Sequence, residues 1–232
     1  ANYMHIVLGR KYLNEHHYVE AAEVFAKVSP QTWKEEPFVT YLDSNPFYIK
    51  PDNGQRADEA FTPTTFAKRM AELEKQMKAG DAQAAYLLGC GAYNMGYWGN
   101  SWLLSQRQWS GAEYQYMYPP RDLSGEDYFA STKAKSYFEK AIQLTKDSEV
   151  AAKAAFGAAM CVQNAFTLFQ AAEGREIGYS ESDQAAFATR MNSEIRKQLD
   201  PYFGLLKNKY PTTQYTREVV AECSTYRDFL EQ

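Results

Sequence analysis

Three histidines are the first residues to consider as metal ligands or as acids and bases. His16 and His17 are adjacent in the sequence, and His5 precedes them. Adjacent side chains on a regular helix point in different directions, so this pair cannot hold one metal ion together. We therefore expect surface or helix-capping roles for His16 and His17, and we predict no metal site.

No motif of a known catalytic class accompanies these histidines. The chain has no HExxH zinc motif, no phosphate-binding P-loop, no GxSxG nucleophile and no GxGxxG following a strand. Acidic residues such as Glu72 and Glu74 lie close to Lys75 and Lys78, a pattern typical of a solvated helix surface. The sequence therefore predicts a protein that is not an enzyme and that uses no cofactor.

The three cysteines are the remaining candidates for covalent chemistry. Cys90, Cys161 and Cys223 are odd in number, far apart in the sequence and outside any CxxC spacing. That pattern excludes both a disulfide framework and a zinc finger. Since each lies among apolar residues at helical spacing, we predict three buried free thiols.

Residues 96–131 are unusually rich in large aromatic side chains. They contain an aromatic patch and three further tyrosines: Trp98, Trp102 and Trp109, then Tyr114, Tyr116 and Tyr118. Exposed rings of this kind stack on sugar rings or form the centre of a protein interface. Alternatively, the rings fill the space beside the irregular segment 31–62 as a small additional core. The sequence leaves both interpretations open.

Composition excludes several classes of protein. The chain has 232 residues, a formal charge of −4 and 15% aromatic residues, and its pI is near 5.5. That balance argues against a nucleic-acid partner held by bulk charge, and the aromatic content argues against disorder. Mean hydropathy is −0.57, and no apolar run is long enough to span a membrane. The chain begins without a signal-peptide pattern, and we expect it to be part of a longer protein.

Apolar residues at helical spacing predict an all-α fold. Thr62-Pro63 and Asp81 are typical of helix starts, and Gly80 of a helix end. Helix is expected to persist into residues 102–108, and Pro201 is expected to kink or restart its helix. The predicted helices are 2–14, 18–28, 63–79, 82–95, 132–146, 149–172, 182–209 and 215–230.

The first thirty residues resemble the tetratricopeptide repeat, a helical hairpin of about 34 residues. The residues that carry the resemblance are Leu8-Gly9, Tyr12, Ala21, Phe25 and Pro30. A second unit resembles it through Leu88-Gly89 with Ala134, Phe138 and Ala141. A third resembles it more weakly through Phe156-Gly157 with Leu199, Phe203, Leu206 and Pro211. Another antiparallel array of helical hairpins is the alternative.

The resemblance implies a right-handed stack of three hairpins with two long insertions and a C-terminal capping helix. It divides a single domain, residues 1–232, into five parts. They are a first hairpin (1–30), a connection plus helix (31–80), a second hairpin (81–146) with the aromatic insertion 96–131, a third hairpin (149–211) and a capping helix (215–232).

Two short stretches resemble uncharacterised repeat-containing envelope proteins of Bacteroidetes. They are Asn45-Pro46-Phe47 and the run from Leu87 to Trp102. This resemblance implies a periplasmic or lipid-anchored, outer-membrane-associated parent of unknown activity. A cytoplasmic location stays open.

In tetratricopeptide repeats the first helix of each hairpin lines a concave groove, and these positions transfer to this sequence residue by residue. The resemblance implies a contact set of Arg10, Asn14, Tyr86, Tyr93 and Asn94. Guanidinium and amide groups pair with the backbone or carboxylate of an extended peptide. The lysine and asparagine of the carboxylate-binding form are replaced by Ile6 and Arg10, which argues against a receptor for chaperone tails. Alternatively, the polar residues cap neighbouring elements or contact the insertion.

The sequence thus predicts a non-catalytic scaffold that binds a protein or peptide in a helical groove. The alternative is a cell-envelope glycan-binding protein that uses the aromatic insertion. Neither interpretation involves nucleic acid.

Overall fold

The computed structural model describes residues 2–49, 60–106, 127–174, 177–178 and 180–231. Within these ranges the regular structure is helical and contains no strand, which confirms the predicted all-α class. No helix within them is both long and apolar enough to cross a membrane.

The α-helices are numbered in chain order. Two short 3-10 helices, Pro30–Lys34 and Trp102–Leu104, lie in the connections. The α-helices are α1 (Asn2–Asn14), α2 (Tyr18–Phe25), α3 (Phe38–Tyr41), α4 (Pro63–Lys78), α5 (Ala82–Asn94), α6 (Asp127–Ala130), α7 (Thr132–Leu144), α8 (Ser148–Gly174), α9 (Glu181–Asn208), α10 (Gln214–Glu222) and α11 (Ser224–Glu231).

The predicted helix starts around α4 and α5 are confirmed by their capping hydrogen bonds. The Thr62 hydroxyl accepts from the Thr65 N–H at 3.2 Å, and the Asp81 carboxylate accepts from the Ala84 N–H at 3.1 Å. Each bond satisfies an N–H that has no partner within its own helix. Gly80 between the two helices has φ +98°, a backbone conformation that glycine adopts without strain.

The longer helices pack in sequence order, each against the next. Helix α1 contacts α2, α2 contacts α4, and α4 contacts α5. Helix α5 contacts α7 and α8, α7 contacts α8, and α8 contacts α9. The helix α4, predicted as the helix that follows the connection within residues 31–80, packs between α2 and α5. The Thr64 hydroxyl on α4 donates to the Phe25 carbonyl at the end of α2 at 3.1 Å.

Close approach of the central helices depends on two glycines that face one phenylalanine. The Phe138 ring on α7 is fully buried, and it lies against Gly89 of α5 and Gly157 of α8. A Cβ atom at Gly89 would lie 2.5 Å from this ring, and one at Gly157 would lie 2.6 Å from it. Gly9 of α1 meets the Phe25 ring of α2 in the same way. Small residues therefore set the spacing of α5, α7 and α8.

Four local predictions are corrected by the structure. Helix α5 ends at Asn94, and only the 3-10 turn Trp102–Leu104 follows before residue 106. Helix α2 ends at Phe25. The C-terminal helix is two helices, because Cys223 adopts an extended conformation between α10 and α11. The predicted restart at Pro201 is wrong, because helix α9 is continuous from Glu181 to Asn208; a kink at Pro201 stays a prediction.

Replacing Gly89 by alanine is expected to destabilise the protein by about 1–3 kcal/mol, because the added methyl overlaps the buried Phe138 ring. The free energy of unfolding is measured by urea denaturation. Gly204→Ala in α9 is the matched control: its Cβ would lie 3.7 Å from Asp200, an ordinary contact, so alanine should stabilise the helix by about 0.5–1 kcal/mol. Equal stability changes in the two variants would contradict this account of the packing.

Candidate functional site

An open cleft of about 530 Å³ lies beside α1. One wall is formed by α1 itself, and the others by the end of the Trp102–Leu104 turn and the start of α6. We call it the α1 cleft. Its lining residues are Val7, Arg10, Lys11, Asn14, Glu15, Ser105, Gln106, Asp127 and Tyr128.

Two of the five predicted contact residues, Arg10 and Asn14, line this cleft. The Arg10 guanidinium donates to the Leu103 carbonyl at 2.9 Å and lies 5.8 Å from the centre of the Phe38 ring. The Asn14 amide donates to the Ser105 carbonyl at 3.1 Å. Both side chains therefore bind the irregular segment after α5, as the alternative interpretation of these residues expected.

The charges at the mouth of the cleft are more exposed. Lys11 near the end of α1 and Glu15 directly after that helix form an ion pair at 2.5 Å with side-chain exposures of 63% and 43%. The pairing raises the pKa of Lys11 and lowers the pKa of Glu15. Both partners are solvated, so the pair adds little stability and its groups can exchange partners readily.

The other three predicted contact residues, Tyr86, Tyr93 and Asn94, lie in the interior on α5 and do not share the α1 cleft. The Asn94 amide donates to the carbonyls of Pro46 and Tyr48, each at 2.9 Å. Its oxygen accepts from the Asn100 N–H at 3.3 Å. All of these partners belong to the chain's own connecting segments, so the Asn94 side chain organises those segments.

The two tyrosines are enclosed in the same way. The Tyr86 ring lies 6.0 Å from the Phe138 ring, and burial raises the pKa of Tyr86 well above its ordinary value. Burial also raises the pKa of Tyr93. Phe47 and Ile49, from the segment that follows α3, are buried in the same core. Residues 46–48 therefore lie against the end of α5, at Gly91 and Asn94.

The aromatic patch is only partly within the described residues, since Trp109 and Tyr114, Tyr116 and Tyr118 lie outside them. Trp98 is 39% exposed, and its indole N–H donates to the Phe129 carbonyl at 3.1 Å. Trp102 packs against the main core, with its ring 5.5 Å from that of Tyr41. Trp98 and Trp102 thus have different environments.

His16 has a role that the sequence did not suggest. Its Nε2 lies 2.8 Å from an Asp127 carboxylate oxygen, and its Nδ1 lies 3.0 Å from the Tyr18 hydroxyl. The Tyr137 hydroxyl donates to that of Tyr18 at 3.5 Å. No local pattern could have revealed this cluster, because His16 and Asp127 are 111 residues apart. His17, in contrast, has a side-chain exposure of 55%, as expected for a surface residue.

The predicted state of the cysteines is confirmed: Cys90, Cys161 and Cys223 are buried and free. Burial raises the pKa of Cys90 to about 12 and also raises the pKa of Cys161 and of Cys223. None of them is therefore an activated thiolate at neutral pH. In the described part of the chain, no group of three or more His, Cys, Asp or Glu side chains is placed to hold a metal ion.

Comparison of the chain with protein-family models, with curated proteins and with solved structures finds no match.

Replacing Asn94 by alanine is expected to destabilise the protein by about 2 kcal/mol, because the buried carbonyls of Pro46 and Tyr48 lose their donor. Urea denaturation measures the loss. The control is Asn192→Ala at an exposed position of α9, where a change within about 0.5 kcal/mol is expected. If Asn94→Ala were as stable as the control, the amide would not be what holds residues 46–48.

Proposed function

We propose that the protein is a non-catalytic scaffold of the tetratricopeptide type that binds a protein or peptide segment in the α1 cleft. The packing of the longer helices in sequence order, each against the next, supports the architectural part of this proposal. The contacts of Gly9 with Phe25 and of Gly89 with Phe138 support it further, since the resemblance pairs these residues within its first two hairpins. Gly157, which the resemblance assigns to the third hairpin, lies against Phe138 of the second and departs from this pattern. The packing of α4 between α2 and α5 is a departure from three simple hairpins.

The observation that carries the binding proposal is the combination of polar and apolar groups on one side of α1. Lys11, Glu15 and Asp127 supply both signs of charge around the cleft. Val7 lines the cleft, and the neighbouring Met4 and Leu8 are 66% and 39% exposed. A peptide offers apolar side chains, charged side chains and backbone polar groups together, so it matches this surface better than a purely polar ligand does.

The glycan alternative has less support within the described residues. Sugar stacking requires open aromatic faces, whereas Trp102 packs on the core and Trp98 is less than half exposed. We therefore treat sugar binding as an outcome to be tested and not as a second proposal.

The test begins by panning a random peptide library against the immobilised protein and measuring the dissociation constants of the selected peptides. The cleft variant exchanges the Lys11 and Glu15 charges (Lys11→Glu with Glu15→Lys), which preserves the ion pair and inverts the charge pattern at the cleft. We expect binding to weaken about tenfold, the effect of losing one charge-assisted contact.

The matched control exchanges Glu173 and Arg190, an equally exposed ion pair between α8 and α9 at 3.0 Å that does not line the cleft. It should bind the peptides as the unmodified protein does. Failure to select any peptide, or equal binding by the cleft variant, would refute the proposal. Binding of oligosaccharides that Trp98→Ala abolishes would favour the glycan alternative instead.

A further inference from the structure

The short helix α6 (Asp127–Ala130) forms one wall of the α1 cleft and is attached to the rest of the molecule at several points. The Tyr128 carbonyl accepts from the Tyr97 N–H at 2.9 Å, and the Phe129 carbonyl accepts from the Trp98 indole. Phe129 packs in a small core with Tyr97 and Leu168. These contacts join α6 to the segment after α5 and to α8, and none of them reaches α1 or α2.

One attachment of α6 to the first hairpin runs through His16. The Asp127 carboxylate accepts from His16 with one oxygen at 2.8 Å and from the Lys133 N–H with the other at 2.7 Å. The His16 and Asp127 side chains are only 14% and 26% exposed. A hydrogen bond to a charged acceptor in such a shielded position is stronger than one in water.

His16 reaches Asp127 because the turn between α1 and α2 has an unusual backbone conformation. The φ angle of His16 is +59°, in the left-handed region that few residues other than glycine and asparagine adopt readily. Tyr18 holds the other ring nitrogen at 3.0 Å and so fixes the orientation of the ring. A histidine at this position is therefore held in place by its two hydrogen bonds.

We propose that the His16–Asp127 bond is a latch that holds the α6 wall of the α1 cleft against the first hairpin. His16 and Asp127 are then positioning residues for the cleft. The importance of the latch for binding rests on the proposed function, but the latch itself does not, because it can be observed in the protein without a ligand.

The chemistry of the latch predicts its response to pH. Nε2–H donates to Asp127 in both protonation states, while Nδ1 accepts from the Tyr18 hydroxyl when the ring is neutral and donates to it when the ring is charged. Burial alone would raise the pKa of Asp127, but the hydrogen bonds from His16 and from the Lys133 backbone outweigh burial and hold this pKa below its ordinary value of 3.8.

The contribution of the Asp127 charge to stability is therefore fully present above pH 3.8, the ordinary value of its pKa, and is lost as the pH falls through the lower folded pKa. The other titratable or charged groups near the latch belong to five elements. They are Arg10 and Lys11 of α1 with Glu15 directly after it, Tyr18 of α2, Glu74 of α4, Lys133 and Tyr137 of α7, and Cys161 of α8.

The experiment is amide hydrogen exchange on the full chain, comparing His16→Asn and His16→Gly with His17→Asn. Asparagine and glycine both tolerate the left-handed turn, so each removes the ring and keeps the backbone. We expect the Ser131 and Lys133 amides, which donate to Asp127, to exchange about tenfold faster in both His16 variants. Amides of α4 and α5 should be unchanged in the His16 variants, and the Ser131 and Lys133 amides should be unchanged in His17→Asn.

The proposal is overturned if the Ser131 and Lys133 amides stay as protected in the His16 variants as in the control. It is also overturned if α4 and α5 lose protection equally, because His16 would then support the whole fold and not one wall.

A second experiment measures the protection factors of the same amides from pH 8 to pH 2.5. The unmodified protein should keep its protection at the Lys133 amide down to about pH 4 and lose it below. In His16→Asn the Asp127 carboxylate still accepts from the Lys133 N–H but lacks the imidazole that lowers its pKa, so the loss should begin at a higher pH. A loss at the same pH in His16→Asn would count against the latch.

These outcomes separate the two proposals. Faster exchange at the α6 wall with no selected peptide would support the latch and refute peptide binding. Selected peptides that bind the cleft, together with unchanged exchange in the His16 variants, would support binding and refute the latch.

Discussion

The contact of Phe138 with Gly89 and Gly157 is the constraint on which the arrangement of the central helices depends. A helix that presents only a hydrogen atom at the contact lets an aromatic ring approach its backbone, and here one ring contacts two such helices at once. The ring is completely buried, and its edges lie against both glycines. The relative positions of α5, α7 and α8 follow from this contact, and the segments that join them must adapt to it.

The irregular segments are held by polar side chains that project from the helices. A loop that crosses the core carries carbonyl groups that need donors, because an unpaired buried carbonyl is costly. Asn94 supplies donors for residues 46 and 48, while Arg10 and Asn14 supply them for residues 103 and 105. The same amide and guanidinium groups that would suit a peptide ligand therefore bind peptide groups of the chain itself. This is why a polar residue at a groove position is ambiguous in a sequence.

The α1 cleft lies where two such adapted segments meet the first hairpin. Its walls come from sequence positions as distant as Val7 and Tyr128, so it exists only in the folded chain. The partly buried cluster of His16, Tyr18, Asp127 and Tyr137 adjoins it and joins the first hairpin to α6 and α7. The His16–Asp127 hydrogen bond therefore connects the first hairpin directly to α6, which forms one wall of the proposed binding cleft.

The sequence by itself determined the helical class, the starts of α4 and α5 and the burial of the cysteines. These features depend on local periodicity and on capping residues such as Thr62 and Asp81, which act within a few positions of the chain. Tertiary structure decided the rest. Whether Asn94 binds a ligand or a loop, whether Trp102 is exposed, and whether His16 meets Asp127 all depend on contacts between distant residues. The break at Cys223 likewise escaped the pattern, since the apolar spacing continues across it. Local patterns constrain the backbone hydrogen bonds of a helix, but they carry no information about which distant segment will cover each of its faces.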